Sequence, residues 1–496
     1  MARTVTTRAL EGRTPGRGAS RGLADGPTVP WAAAAAAADR LPSGMTSATV
    51  ATARPRPAID VRRPVAPTAL VGILVLALAW ASLAFASAPT DPAGLIAYVD
   101  LEGRAALVDP AGGERLAVYD GGLERAQFPA WSSDGNRLAV IVSDMAGGRV
   151  DVVDVAAGGE PVTAYRRVGR APIYLSWAPG DRLLAVLAND AGGGLALDLV
   201  EVARALDGDA DAVRDFARGA PFYWAWARSG RALLVHQNVL GPARAVGISG
   251  VDAFELRTRL PAAGAFQAPA FSPSERYLAY ASVDQEAGRR VEVVPNPERP
   301  DPTATARSLP HRGVAAFAWR PGREQLAVQG PAVPSPHAFG PVDLLDVASG
   351  RVTRLSDDQV VASWWSPDGR WLATLSPVGG GGERTMLVSA TGARAIAETA
   401  VPAQRRAPAL YSLKAIDADT LETRLLGAFA PSPLFLAQHL PFFDQYARSH
   451  RLWSPDSDAL VLPALDDAGV PTIVVFGIDG SVLPLAQGDM PAWNVR

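Results

Sequence analysis

The sequence predicts a β-propeller of four-stranded blades preceded by one membrane-spanning helix. Three observations carry this: a motif that recurs every 45–49 residues over most of the chain, a complementarity between the two ends of the repeat region, and a single uncharged apolar stretch ahead of it. The 496 residues are 48% hydrophobic and 20% charged, the balance of a folded chain.

In chain order, residues 1–63 hold ten arginines and four acids, a local net charge of +6. They are rich in Ala, Pro, Gly and Thr and lack apolar periodicity, so a disordered basic segment is expected. Seven alanines at Ala32–Ala38 are too short to hold an isolated helix in water. Pro64–Thr90 carries no charge, and within it Ala69–Ala86 is 18 apolar or small residues. As a helix that run is about 27 Å long, close to the hydrocarbon thickness of a bilayer. Arg54, Arg56, Arg62 and Arg63 precede it and Asp91 follows, so the positive-inside rule places everything after Asp91 outside the cytoplasm. Two readings stay open: an uncleaved anchor, favoured by the length of the run, or a signal peptide cleaved after Ala84-Phe85-Ala86. A start at Met45 in place of Met1 would give a more ordinary signal-anchor length.

The repeat occupies about 95–496. An aromatic residue, a polar turn and an apolar strand recur at Trp131, Trp177, Trp226, Phe271, Trp319, Trp365 and Trp453, with spacings of 46, 49, 45, 48, 46 and 88. A period of 40–50 residues marks a stacked or radial array. In Trp365-Ser366-Pro367-Asp368-Gly369, Pro presets φ, Asp bonds the backbone ahead of it, and Gly accepts the positive φ that closes the hairpin. The following strand alternates, so that one face meets the next unit. A second hairpin follows each of these, such as Arg149–Val155 with Gly158–Tyr165, which makes four short strands per unit.

Leu95–Asp100 matches the second strand of a unit but has no aromatic turn before it, whereas Met490-Pro491-Ala492-Trp493 matches the first strand of a unit. The last residues are therefore expected to complete the sheet begun by the first, closing a ring without free edges. Seven internal aromatic turns plus Trp493 count eight blades, with seven or nine as alternatives. In the long interval after Trp365, Tyr411–Leu426 reads as the second hairpin of the Trp365 blade.

These repeats resemble the WD-like repeat of the TolB family, whose signature is a W-S-P-D-G turn before an apolar strand. Trp365–Gly369 matches it fully, Trp131–Gly135 has Ser for Pro, and Trp453–Ser457 lacks the Gly. The resemblance implies a propeller that serves as a docking platform for envelope proteins, and it transfers no catalytic residue. The α/β domain that precedes the propeller in TolB proteins has no counterpart between Asp91 and the first strand.

Several chemistries are excluded or disfavoured by composition. There is no cysteine, and Lys414 is the single lysine, so thiolate chemistry, disulfides and cysteine–zinc sites are out. Beyond residue 63 the net charge is −9, which argues against a nucleic-acid partner. No G-x-S-x-G elbow is present, Gly247–Gly250 being too short a match that falls within a blade. The five histidines, at 236, 311, 337, 439 and 450, have no compact ligand spacing. Asp207-Gly208-Asp209-Ala210-Asp211 begins like a calcium loop but has Ala212 and Arg218 where the turn glycine and bidentate acid belong. Gly379–Gly382 lacks the following G-K-[ST] of a phosphate cradle. No metal and no cofactor is expected.

One segment breaks the repeat, Ala428–His450, which combines five aromatic residues with Gln438, His439 and a polar group at Asp444, Gln445, Tyr446 and His450. Non-repeating insertions in such arrays map to loops on one face. Two readings are open: the aromatics plug the ring or pack on a blade as local core, or Asp444, Gln445, Tyr446 and His450 line a pocket or partner patch, with Asp444 and His450 as a conceivable acid–base pair. The expectation is a membrane-tethered extracytoplasmic propeller that binds another envelope or membrane protein as a scaffold. A hydrolase or lyase with its site at the central pore is the alternative, and a metal- or glycan-binding sensor the third reading. The topology is directly testable. A reporter active only outside the cytoplasm, fused after Arg496, is expected to be active, and activity from a cytoplasmic reporter alone would reverse the orientation.

Overall fold

The computed structural model describes residues 92–495, apart from 112–115, 120–123, 144–146, 220–221, 239–243, 265–266, 285, 287, 336, 379–384, 389–393 and 398–407. The basic segment 1–63, the apolar run at 69–86 and the four-glycine run lie outside the described residues. Among the described residues no helix is long and apolar enough to cross a membrane.

The Trp131 unit shows why these sequences form sheets. Arg125–Trp131, Arg137–Ser143, Arg149–Asp154 and Val162–Tyr165 pair antiparallel in sequence order, with Trp131 opposite Leu138 across the first turn. Its second strand is buried on both faces, since Leu138, Ala139, Val140, Ile141 and Val142 are each at most 1% exposed. The alternation expected from the sequence therefore gives way to a near-continuous apolar run, because each sheet lies between two neighbours.

The described residues form seven sheets, five of four strands and two of six. This corrects the expected eight blades. The twelve-residue strand Val482–Trp493 pairs through its first half with Pro471–Gly477 and through its second half with Ile96–Asp100. It thereby fuses the Trp453 unit and the unit begun by the N-terminal strand into one sheet. The ends do pair, Ile96 opposite Trp493 and Asp100 opposite Gly488. In the Trp365 sheet, Tyr411–Asp417 and Thr423–Phe429 supply the outer hairpin, as the long interval implied.

Consecutive sheets are joined by a repeated bond. The Trp177 indole donates to the Ala130 carbonyl (2.9 Å), Trp131 to Ala492 (3.1 Å), Trp365 to Ala318 (3.2 Å) and Trp453 to Trp364 (3.0 Å). Trp226 donates to the Ser176 hydroxyl at 3.1 Å. The acceptor is in every case the residue just before the preceding unit's aromatic. Trp493, in the shared sheet, donates to Gly94 at 2.9 Å.

The relay is interrupted at one place. Phe271 has no N–H to donate, and the Trp319 indole nitrogen is buried without a partner. The Phe271 sheet is thus joined to neither neighbour by an indole bond.

The turns make a second inter-sheet layer. In the fullest match, Asp368 Oδ1 accepts from Arg370 N at 2.9 Å, as the motif predicts. Gly369 has φ +72°, and a Cβ there would sit 2.6 Å from the Pro321 carbonyl of the preceding sheet. Glycine thus answers both a left-handed backbone and a close approach. Three units place other residues in this slot, also with positive φ: Asp181 (56°), Glu275 (59°) and Ser457 (64°). Each side chain reaches the preceding turn. Asp181 accepts from Ser133 N (2.6 Å) and Asp134 N (2.9 Å), Glu275 from Arg228 N (2.5 Å), and Ser457 from Asp368 N (3.1 Å). A left-handed non-glycine residue costs roughly 1–2 kcal/mol, and here an inter-sheet hydrogen bond offsets it.

Closure gives a stability prediction. Deleting Gly488–Arg496 removes the partner of Ile96–Asp100, the acceptor of the Trp131 indole and the buried Trp493 side chain. The loss is expected to exceed the ~3–5 kcal/mol of a single buried large aromatic, read as aggregation or a collapsed denaturation midpoint. A truncated chain that melts like the full-length protein would show that the closing strand contributes nothing.

Candidate functional site: a plug in the propeller channel

The insertion begins after Phe429, the end of an outer strand, and rejoins the repeat at Leu452. It folds as a π turn over Phe435–His439, a 3-10 turn over Leu440–Phe442 and a short helix, Phe443–Tyr446. Pro441 lacks the N–H that a continuous α-helix would use, which accounts for the broken winding. The segment packs across the inner strands of most sheets. Phe435, His439 and Phe443 surround Trp364, while Tyr446 meets Phe128 at 5.4 Å and Tyr174 at 5.1 Å between ring centroids.

Inner strands present an unpaired backbone edge to the channel, and the plug's polar side chains satisfy part of it. Gln445 Oε1 accepts from Trp224 N at 3.3 Å, while Arg448 Nη1 donates to the Trp224 carbonyl at 2.7 Å. Asp444 Oδ2 accepts from Ala268 N at 3.2 Å, and Arg448 Nη2 donates to the Ala268 carbonyl at 3.3 Å. Tyr174 donates its hydroxyl to the Gln445 carbonyl at 3.0 Å. Trp224 belongs to the Trp226 sheet and Ala268 leads into the Phe271 sheet. Asp444, Gln445 and Arg448 therefore staple the first of the two seams where the indole relay is missing.

Among the four residues singled out in the sequence, Gln445, Tyr446 and His450 are buried and Asp444 is partly buried. They are not an exposed row. Asp444 and His450 do not pair: His450 Nδ1 lies 2.7 Å from the Ser449 hydroxyl, while Asp444 faces Ala268. Of the aromatics, Phe443 is buried and Phe442 half-buried. Arg448 was missed, although it is the single basic residue of the insertion. Phe128, Tyr174 and Met490 were missed as channel residues. Their common signal is position, three residues before a repeat aromatic. Phe128 and Met490 also precede a proline, have φ of 49° and 53°, and lie at register shifts, so a bulge re-aims each side chain.

Burial dominates the electrostatics. It pushes His439 down to about 3 and His450 down to about 4. It raises the Asp444 and Asp489 carboxyls, against the opposing effects of Arg448 and backbone N–H groups on Asp444. A cavity of about 20 Å³ lies against His439, His450, Asp489 and Met490, and a second of about 40 Å³ lies on the other side of the plug. Among the described residues no group of three or more His, Asp or Glu is placed to hold a metal. At the calcium-like stretch, Asp209 bonds Asp211 N and Arg204 on the surface. Ser249 lies within the strand Ala245–Gly250, fully buried.

The fold and the site together define a β-propeller closed by its own termini and plugged by its own chain. No family model and no curated protein matches the sequence. Among solved structures, the chain is similar to a eukaryotic initiation factor (12% identity, TM-score 0.48, covering 82% of this chain and 99% of that one). It is similar to a dihydro-heme d1 dehydrogenase (17%, 0.49, 82% and 77%) and to TolB from Acinetobacter baumannii (13%, 0.36, 88% and 74%).

The histidines make the plug pH-sensitive. Each is neutral when folded and titrates near 6.5 when unfolded, so its stabilising effect is complete above about pH 6.5 and is lost as pH falls toward 4. The two together contribute a slope of up to about 2.7 kcal/mol per pH unit in that window, partly offset by the raised carboxyls. His450→Phe is expected to flatten the dependence of stability on pH between 6.5 and 4. An unchanged slope would show that His450 is protonated or exposed in the folded protein.

Proposed function

We propose that this chain is a TolB-like, membrane-tethered propeller that acts outside the cytoplasm as a protein-binding or scaffold module of the cell envelope. The observation that carries the reading is the plug. The channel, where a propeller would hold a small substrate, is filled by Phe435, His439, Phe443, Gln445 and Tyr446 of the chain itself. The cavities beside it, about 20 and 40 Å³, compare with roughly 300–1,000 Å³ for small-molecule sites. A hydrolase or lyase site at the pore is therefore the weaker reading.

Topology favours one face. The W-S-P-D-G-type turns lie on one side of the sheets, and the connections between sheets, including the plug, lie on the other. Pro92 and Gly94 are held at the turn side, by Asn494 and Trp493. An anchor at 69–86 is joined to Pro92 by only five residues, at most about 18 Å of chain. In this reading the turn face lies toward the bilayer and the plug face is the one left to partners.

The test is capture from native membranes by the full-length protein. Ala437→Glu with Pro441→Glu, both exposed on the plug, is expected to lower recovery of a stoichiometric envelope partner at least ten-fold. Arg228→Glu on the turn face is expected to leave it unchanged. Equal recovery by all three proteins, or loss in the turn-face variant alone, would overturn the assignment.

A further inference from the structure

The larger of the two cavities, about 40 Å³, opens beside the plug at the seam that lacks indole bonds. Tyr223 of the Trp226 sheet, Ala316 of the Trp319 sheet, His337 and Phe339 of a loop in that sheet, and Pro441 and Asp444 of the plug line it. His337 and Pro441 are exposed at its mouth, with the His337 ring stacked on Phe339 at 5.0 Å and 18°.

Asp444 is the charged group inside. Its Oδ2 accepts one bond, from Ala268 N at 3.2 Å, and its Oδ1 one, from Gln445 N at 2.9 Å. An ionised carboxylate offers about four acceptor positions, so capacity remains on both oxygens. No basic side chain of the described residues forms an ion pair with it. Arg448 turns its guanidinium to the Trp224 and Ala268 carbonyls instead. The site is a partly buried carboxylate that feels the charge of Arg448 but makes no direct ion pair with it, walled by Tyr223, Phe339 and short apolar side chains.

Those features select a ligand class. An anion meets the carboxylate, and a neutral head leaves it unpaired, at the cost of an unsatisfied buried group. Ring faces attract cations. A planar guanidinium binds a carboxylate best through two parallel bonds in one plane, which a cavity of about 40 Å³ leaves little room for. A compact ammonium needs no such fork, and its aliphatic stem suits the apolar walls. By the criterion of about 10–15 Å³ per water-sized occupant, the cavity admits a head group and its last carbons rather than a larger molecule.

We propose that this notch binds a primary ammonium group on an aliphatic stem, the head of a lysine side chain of the partner protein, with Asp444 as its counter-charge. The proposal rests on the plug face being the docking face and adds the chemistry recognised there.

The experiment uses the full-length protein and small probes observed by saturation-transfer NMR: Nα-acetyl-lysine N-methylamide, its norleucine counterpart without the ammonium, and its arginine counterpart. The lysine probe is expected to bind, and the other two at least ten-fold more weakly. Asp444→Asn is expected to weaken the lysine probe ten-fold or more. Ala338→Phe, which fills the cavity from a half-buried loop position and leaves the Asp444 carboxyl in place, is expected to do the same with the melting temperature unchanged. Binding of norleucine or arginine equal to lysine, no binding of lysine, or full binding by Ala338→Phe would each overturn the proposal. Partner capture that fails while the lysine probe still binds would sink the docking reading and leave the notch standing.

Discussion

The architecture depends on one hydrogen bond, repeated from sheet to sheet, in which an indole N–H reaches the backbone or side chain of the residue preceding the neighbouring unit's aromatic. A tryptophan in this place does two things. Its ring fills the wedge between sheets, and its N–H satisfies a buried oxygen that would otherwise cost about 1–3 kcal/mol. Because the acceptor immediately precedes the next donor, each bond positions the residue that makes the following one. Ala130 accepts from Trp177 while Trp131 beside it donates to Ala492. Register is thereby passed around the array, and the final strand, held by Trp493 to Gly94 and by its pairing with Ile96–Asp100, closes it.

The exceptions show what the relay accomplishes. Where Phe271 replaces tryptophan and the Trp319 nitrogen finds no partner, the adjoining sheets are joined by other means. Glu275 bonds Arg228 N at the turn, and Arg448 bridges the carbonyls of Trp224 and Ala268 from within the channel. The plug is therefore part of the wall's own bonding as well as a filling. The same economy explains the left-handed Asp181, Glu275 and Ser457, whose backbone strain is tolerated because each side chain ties its turn to the one before.

The filled channel is a packed interior. Buried groups such as His439 and His450 serve the fold, and their ionisation is suppressed by the packing that makes the plug stable. Asp444 differs from them. It sits at the plug's edge, partly exposed, with acceptor capacity left over, beside a cavity of about 40 Å³.

The repeat, the turn chemistry, the hairpins and the pairing of the two ends were legible in the sequence, because each rests on short-range rules: alternation, turn residues, and an aromatic at a fixed offset. Blade number was not, since whether Val482–Trp493 serves one sheet or two is a matter of hydrogen-bond partners and leaves no trace in its spacing. Nor could sequence say that Ser457 in place of glycine makes a bond to Asp368, 89 residues away. The insertion stood out as a departure from the repeat, and Asp444, Gln445, Tyr446 and His450 were singled out within it. Their burial, and the roles of Arg448, Tyr174 and Trp224, came only from the fold. Gln445 meets Tyr174 across 271 residues of chain, and no local pattern encodes a contact that exists only once the sheets have closed around it.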